Sequence, residues 1–324
     1  MINAMFELFL IILGLVIFET VMSIDNAVVN ADVLSTMKSR RARRFFLTWG
    51  ILFAVFVVRG VLPSIIVYLS TPGLSFFGAI SVIWQNDPSV SVAVLEATPI
   101  IMIAGGMFLI LLWAHWLFME DKNFGLPHEW YVQKYGAVWF YSIAALLLVG
   151  VLYEINKSIL ENPMHLALAS AVGFSIFFIT QGFKDNAQII EERIIASGEH
   201  SSMSDWSKVL FLEVLDTVFS IDGVVGAFAF TTSVPMILIG TGIGAIVVRQ
   251  LTVLGVERIR SYSYLKNGAM YSIGFLGFVM ILEAFGAHIP AWFSPVVTIT
   301  VVGYFFWRSV AENRLNGVLS NKTI

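Results

Sequence analysis

Residues 6–25 read FELFLIILGLVIFETVMSID, a mostly apolar run that closes on acidic residues. A helix that spans a bilayer needs about 20 mostly apolar residues, and similar blocks recur at Phe45–Val58 and Ile100–Trp113. The 324-residue chain is 58% hydrophobic and only 13% charged, whereas a soluble domain is nearer half apolar and about a quarter charged. These blocks do not alternate apolar and polar residues as barrel strands do. The chain is therefore predicted to be an all-α membrane protein.

Nine transmembrane helices are predicted, with the N-terminus outside and the C-terminus inside. Their approximate bounds are Ala4–Val33, Arg44–Leu69, Thr98–Phe118, Gly136–Tyr153, Met164–Gly182, Ser207–Thr231, Pro235–Leu254, Gly268–Phe285 and Pro290–Arg308. The orientation follows from loop charge, because basic residues collect on the cytoplasmic side of membrane proteins. In this arrangement the run Lys38–Arg44 lies inside, and Lys157 is the basic residue of the outer loops. The stretch Pro72–Ala97 stays open, and its apolar part, Leu74–Trp84, is too short to span the membrane and is interpreted as a re-entrant or interfacial piece.

Composition also excludes several classes of function. The chain has no cysteine, which removes disulfides and thiolate metal sites. Its net charge of -3 is small, and its basic residues form no nucleic-acid-binding face, so no nucleic acid partner is expected. No cleavable signal peptide is expected, since the first basic residue, Lys38, follows the first apolar segment. An enzyme is not expected, and the Gly-x-Gly-Asp context of an intramembrane diaspartyl protease is missing.

One heptapeptide occurs twice. Glu19-Thr20-Val21-Met22-Ser23-Ile24-Asp25 and Asp216-Thr217-Val218-Phe219-Ser220-Ile221-Asp222 share five of seven residues. Each copy is followed by a span with one arginine, Arg59 or Arg249, and a glycine precedes each arginine by nine positions. The predicted topology sends the two copies through the membrane in opposite directions, which makes an inverted 3+3 repeat, a recurring plan of secondary transporters.

A single polytopic membrane domain covers residues 1–324 in this scheme. The first repeat occupies about 4–118 and the second about 207–286, and the extra helices lie at about 136–182 and 290–308.

The two copies place five acids inside or near the ends of spans: Glu19, Asp25, Glu213, Asp216 and Asp222. Ionised groups in hydrocarbon are costly, so such residues usually face a bundle interior or a water-filled path. Carboxylate, amide and hydroxyl oxygens suit Mg²⁺, Ca²⁺ and Mn²⁺, and composition does not choose among them. The sequence therefore predicts one cation site, in which Arg59 and Arg249 tune the charge.

Helical spacing puts Glu19, Ser23, Asn26 and Asn30 on one face. Asp25 and Asp222 fall off the face of their first acid. They join the same site only if the helix unwinds near Ser-Ile-Asp, or they serve a neighbouring helix. A structural alternative is that buried acid–arginine pairs merely join helices, and that Ser23 and Ser220 bond to the backbone carbonyl four residues earlier.

The segments Glu19–Val28 and Asp216–Val225 resemble those of the TerC family of integral membrane proteins, which is linked to the superfamily of the lysine exporter. The resemblance covers nearly the whole chain, although Gly223 stands where TerC members often carry serine. It implies export of divalent metal, chiefly Mn²⁺, across the bacterial inner membrane. It also implies that Glu19, Asp25, Asn26, Asp216 and Asp222 hold the metal.

The expected function is thus a secondary transporter that exports a divalent cation, with manganese first and Ca²⁺ or Mg²⁺ as alternatives. Ser23, Ser220 and Glu213 are accessory ligands in this hypothesis. The expected partners are the metal ion, membrane lipid and further copies of the chain in a homo-oligomer. No Gly-x-x-x-x-Gly-Lys-Ser/Thr loop is present, so an ion gradient is the expected driving force. The alternatives are a non-transporting scaffold, a subunit of a metal or tellurite stress complex, and an exporter of a small organic cation.

Overall fold

The computed structural model describes residues 2–50, 88–122, 124–158, 162–197, 203–254 and 262–320, with isolated positions between 51 and 87. Throughout this described part the regular structure is helical. Numbered in order, its α-helices are α1 (Ile2–Met22), α2 (Ile24–Ser35), α3 (Arg40–Phe45), α4 (Pro88–Met119), α5 (Pro127–Gly136), α6 (Phe140–Lys157), α7 (Pro163–Ser197), α8 (Asp205–Ala227), α9 (Val234–Leu254), α10 (Leu265–Ala284) and α11 (Phe293–Ser320). A π-helical turn, Phe46–Gly50, follows α3, and a 3₁₀ turn, Ala137–Trp139, joins α5 to α6.

In the part of the chain that the structure describes, six helical segments are long and apolar enough to cross a membrane. They are Met5–Met22, Thr98–Met119, Pro127–Lys157, Pro163–Ser197, Leu265–Ala284 and Phe293–Arg314. Each coincides with one of the nine predicted spans. The sixth predicted span is the helix α8, which carries too much charge to qualify, and the seventh has a shorter apolar stretch, Val234–Gln250. The second predicted span lies mostly outside the described residues. The chain is a multi-pass membrane protein, and the count of nine stays a prediction.

Two helices extend beyond the bounds predicted for their spans. The helix α4 begins at Pro88, before the predicted start of its span at Thr98, so the end of the stretch Pro72–Ala97 is helical, while its earlier part lies mostly outside the described residues. The helix α7 continues unbroken beyond Gly182, the predicted end of its span, to Ser197. The polar end of α7 stays helical because Ile194 still packs into an apolar cluster.

The centre of the bundle is α4, which packs against α7 and α10. Small residues allow these helices to approach closely: a Cβ built on Gly106 would lie 2.9 Å from the backbone oxygen of Gly277. A Cβ on Gly274 would lie 2.6 Å from the Trp113 ring. Gly274 and Gly277 therefore serve close helix packing.

The helix α1 lies beside α9 along the length of both. A Cβ on Gly240 would lie 2.5 Å from Leu15 Cβ, and one on Gly244 would lie 2.6 Å from Glu19 Cβ. Residue 244 is the middle of α9 (Val234–Leu254), a helix about 31 Å long at 1.5 Å per residue. Glu19 is thus placed at the mid-depth of this helix pair.

The helix α8 ends inside the bundle. Gly226, near its last turn, packs directly on the Phe18 ring, and the turn Phe228–Phe230 that follows is fully buried. The ring centroid of Phe230 lies 5.4 Å from that of Phe18. Non-helical backbone at membrane depth is tolerated where protein covers it, as it does at this turn.

A smaller apolar cluster closes the other end of α8. Its members are Val33, Leu34, Met37, Ala42, Phe46, Ile194, Val209 and Leu212. The buried Lys208 ammonium donates to the Thr36 backbone oxygen at 3.1 Å and to Thr36 Oγ1 at 3.0 Å, and Asp205 accepts a bond from the Ser39 amide at 2.7 Å. These contacts fix α8 against α2 and α3.

Candidate cation site in the membrane bundle

The first copy of the repeated motif lies at a helix break. Helix α1 ends at Met22 and α2 begins at Ile24, and Ser23 between them adopts φ -89° and ψ 4°. This sparsely populated backbone region is common at functional sites. Ser23 Oγ donates to Glu19 Oε1. The helix is therefore interrupted at this single residue, although the Ser23 amide still donates to the Glu19 backbone oxygen at 3.0 Å and the Ala27 amide donates to the Ser23 oxygen at 2.9 Å. The Ser23 side chain bonds to a carboxylate rather than to the backbone.

The second copy does not break. Helix α8 runs continuously through Ser220 and Asp222 as far as Ala227. Ser220 Oγ donates to the backbone oxygen of Asp216 at 2.7 Å, which is the structural alternative stated for this serine. The hydroxyl proton of Ser220 is therefore used in a hydrogen bond within the helix, and the ligand role of its oxygen stays a prediction.

Glu19 lies between α8 and α9 and is only 1% exposed. Its carboxylate reaches the backbone of α8 at Gly223, where a Cβ would lie 2.9 Å from Glu19 Oε2. Gly244 leaves the matching space on α9. The absence of two side chains thus makes room for one acid from the first motif against the second.

The helices α2 and α8 meet through polar side chains. Asn30 Nδ2 donates to Asp216 Oδ1 at 3.1 Å, and both residues are buried. Asn26 precedes Asn30 by one helical turn, and the Oδ1 atoms of these two amides are buried without a hydrogen-bond donor among the described residues.

Glu213 and Asp222 add further carboxylate oxygens along α8. Both oxygens of Glu213, and Oδ1 of Asp222, are buried and accept no hydrogen bond from the described part of the chain. Gly50, at the end of the π-helical turn, packs directly on the Glu213 carboxylate. Buried acceptors are normally satisfied, so these atoms are where a cation would be most favourable.

Lys184 forms an ion pair with Asp222. The sequence predicts no role for this lysine in the site. The two side chains are 13% and 6% exposed, respectively. Asp222 therefore pairs with a residue of a neighbouring helix, α7, which is one of the two alternatives that its helical spacing left open. Asp185-Asn186-Ala187, which repeats Asp25-Asn26-Ala27, directly follows Lys184, but nothing in this short repeat pairs the lysine with Asp222.

The charge-tuning role of the two arginines stays a prediction. Arg249 is half-buried on α9 and makes no described ion pair with these carboxylates. Arg59 and the side chain of Asp25 lie outside what the structure describes. Across the described residues no three His, Asp or Glu side chains come close enough together to hold a metal by themselves, so amide oxygens would have to complete any ligand set there.

A small cavity borders the helix break. It has a volume of about 20 Å³, and its lining residues are Val21, Met22, Ile24, Lys266, Ala269 and Met270, which is room for about one water molecule. Lys266 Nζ lies 2.8 Å from Glu120 Oε2. Burial alone would raise the pKa of Glu120, but the Lys266 and Lys122 ammonium groups lower it, and the net pKa lies below its usual value.

The architecture and these buried charges define a multi-pass helical membrane protein with a polar centre. The chain belongs to the family described as protein of unknown function DUF475, whose model matches residues 24–316.

Two curated relatives of the chain are described as uncharacterized membrane proteins. The chain is 31% identical over 85 residues to the uncharacterized membrane protein YceF of Bacillus subtilis (strain 168), covering 26% of this chain and 33% of that protein. It is 31% identical over 107 residues to an uncharacterized membrane protein of Rickettsia felis, covering 33% of this chain and 35% of that protein. The matched segments thus span about a third of each relative's length. No solved structure matches the chain.

Proposed function

We propose that this protein is a secondary transporter that exports a divalent metal cation across the bacterial inner membrane, with Mn²⁺ as the first candidate cargo. One observation carries the proposal: where α2 meets α8 through the Asn30–Asp216 hydrogen bond, buried oxygens of Asn26, Asn30 and Glu213 accept no hydrogen bond from the described residues. Leaving one buried acceptor unsatisfied costs about 1–3 kcal/mol. A bound cation would satisfy several of them at once.

The chemistry of these atoms supports a hard divalent ion. All are carboxylate or amide oxygens, which suit Mg²⁺, Ca²⁺ and Mn²⁺ rather than the softer metals that histidine and thiolate hold. The choice of manganese among the three rests on the resemblance of both motifs to the TerC family.

The arrangement of helix ends supports transport by alternating access. One motif lies at the break between α1 and α2, and the other lies just before α8 ends inside the bundle. Discontinuous helices near the midplane form the substrate sites of many inverted-repeat transporters. The glycine contacts of the two motifs also correspond: Gly240 packs on Leu15, one turn before Glu19, and Gly50 packs on Glu213, one turn before Asp216.

The test is manganese accumulation in cells that lack the protein and are complemented with variants. Wild type is expected to lower cell manganese under Mn²⁺ load, and Asp216→Asn and Asp222→Asn are expected to lose this effect. Glu154→Gln is the matched control, because Glu154 is exposed on α6, and it should behave as wild type. Equal levels of every variant in the membrane must be verified. If no divalent metal differs between cells with and without the protein, metal export is wrong.

A non-transporting scaffold is the second candidate, and the Lys184–Asp222 ion pair favours it, since a buried pair can join two helices. In that case Asp222→Asn would lower the thermal stability of the purified protein without altering the metal content of the cells. The two measurements together separate the candidates.

A further inference from the structure

Lys184 contacts the second motif from a neighbouring helix, a position that its sequence context does not predict. It lies on α7 and contacts Asp222 Oδ2 on α8. Its Nζ also lies 5.2 Å from the centre of the Phe219 ring, within the range of a cation–π contact. A single ammonium group is therefore held between a carboxylate and an aromatic face of the second motif.

This ion pair is poorly explained as a device for stability alone. Burying two charges is costly, and replacing a buried pair with apolar side chains is often neutral or stabilising. A pair that served only to join helices would gain by saturating the carboxylate, yet Asp222 Oδ1 is buried with no donor among the described residues. The carboxylate is thus neutralised in charge while one of its oxygens remains open.

The pair also adjoins the first motif. Asp222 directly precedes Gly223, whose backbone faces the Glu19 carboxylate. The lysine therefore brings a positive charge to the layer in which α8 passes the Glu19 carboxylate. A lysine carries a compact charge on a flexible stem with several rotatable bonds, so it can leave this layer without movement of the backbone.

We propose that Lys184 is a tethered substitute for the transported cation. In the empty protein its ammonium neutralises Asp222, and the arriving divalent cation displaces it from the carboxylate. This inference rests on the proposed function and deepens it. It explains how an empty site with buried acids returns across the membrane: the carrier supplies its own counter-charge and needs no coupling ion for that step.

The test measures Mn²⁺ binding to the purified full-length protein by titration calorimetry. Removing the competing charge in Lys184→Met is expected to tighten Mn²⁺ binding by about tenfold or more, because a like charge next to a site shifts ionic equilibria by one or more decades. Lys184→Arg keeps the charge and should bind with nearly wild-type affinity. For each variant, elution as a single species and the melting temperature without metal verify the fold.

The chain contains no cysteine, which permits a chemical restoration. Lys184→Cys should bind Mn²⁺ as tightly as Lys184→Met. Alkylation with 2-bromoethylamine forms a C–S bond at Sγ with loss of bromide and a proton, and it leaves an ammonium on a stem as long as that of lysine. Binding should then weaken to the wild-type level. Iodoacetamide adds a neutral group at the same sulfur and should leave binding tight.

The outcomes separate this inference from the proposed function. Unchanged or weaker Mn²⁺ binding by Lys184→Met and Lys184→Cys, with wild type binding normally, would overturn the tethered-cation inference and leave export standing. If neither wild type nor any variant binds Mn²⁺, Mg²⁺ or Ca²⁺, the cation site and the inference are both wrong.

Discussion

At the scale of single residues, the contact between the two motifs depends on an absent side chain. Glu19 reaches the backbone of α8 because residue 223 is glycine. The contacting atom is the end of a flexible side chain, so a methyl group at this position would displace the carboxylate rather than separate the helices.

Gly223→Ala is therefore expected to fold and to lose most of its manganese export, with a normal amount of protein in the membrane. Gly150→Ala is the matched control, since nothing lies within 4 Å of a Cβ at this helical position. The control should export as wild type does, and its helix should gain slightly, because alanine favours a helix over glycine by about 1 kcal/mol. Normal export by Gly223→Ala would remove the Glu19–Gly223 contact from the mechanism.

The residue chemistry was partly predictable from sequence. Acids in apolar helices indicate a buried polar centre whatever the tertiary fold, and Glu19, Asp216 and Asp222 are indeed buried. Their partners were not predictable: Lys184 was separated from Asp222 by 38 positions, and only the packing of α7 on α8 brings them together. The metal ligands themselves stay a prediction.

At the scale of helices, the packing of α4 on α10 controls the centre of the bundle. A Cβ on Gly106 would meet backbone atoms of α10, with Gly277 O at 2.9 Å and Ile281 N at 3.0 Å. Backbone in a packed helix cannot move aside as a side chain tip does, so these helices would have to separate.

Gly106→Ala is expected to lower the apparent melting temperature of the purified protein, since overpacking a tight core typically costs about 1–3 kcal/mol. Gly303→Ala on α11 has nothing within 4 Å of its Cβ and should melt at or above the wild-type temperature. Equal melting of Gly106→Ala and Gly303→Ala would contradict the close approach of α4 and α10.

Hydropathy predicted the positions of the helices better than their ends. Apolar runs mark the part of a helix that meets lipid or core, and six of the predicted spans coincide with apolar helices. Polarity does not end a helix, however. The helix α7 continues to Ser197 because Ile194 packs into the cluster around Val209 and Leu212, a tertiary contact that local composition does not reveal.

At the scale of the whole molecule, the direction of the chain through the membrane stays a prediction from loop charge. The Lys38–Arg44 run and Lys134 are predicted to lie inside, and Lys157 outside. The lack of native cysteines makes the prediction easy to test with single cysteines.

Lys157→Cys is expected to react with a membrane-impermeant maleimide in intact cells. Lys134→Cys, also exposed in the structure, should react only after the membrane is opened, because the charge bias of the loops places α5 in the cytoplasm. The opposite labelling pattern would reverse the orientation, and labelling of both in intact cells would show that the predicted number of spans between them is wrong.

The two copies of the heptapeptide share most of their residues, yet the helix is interrupted at the serine of one copy and continuous through the serine of the other. The shared residues therefore do not determine the local backbone conformation, which depends on the neighbouring packing. A protein engineer who transplanted this heptapeptide into another helix would transfer its acids and hydroxyl groups but not the interruption. Two similar sequences in one chain thus have different local structures, and a comparison of the sequences alone would not show that difference.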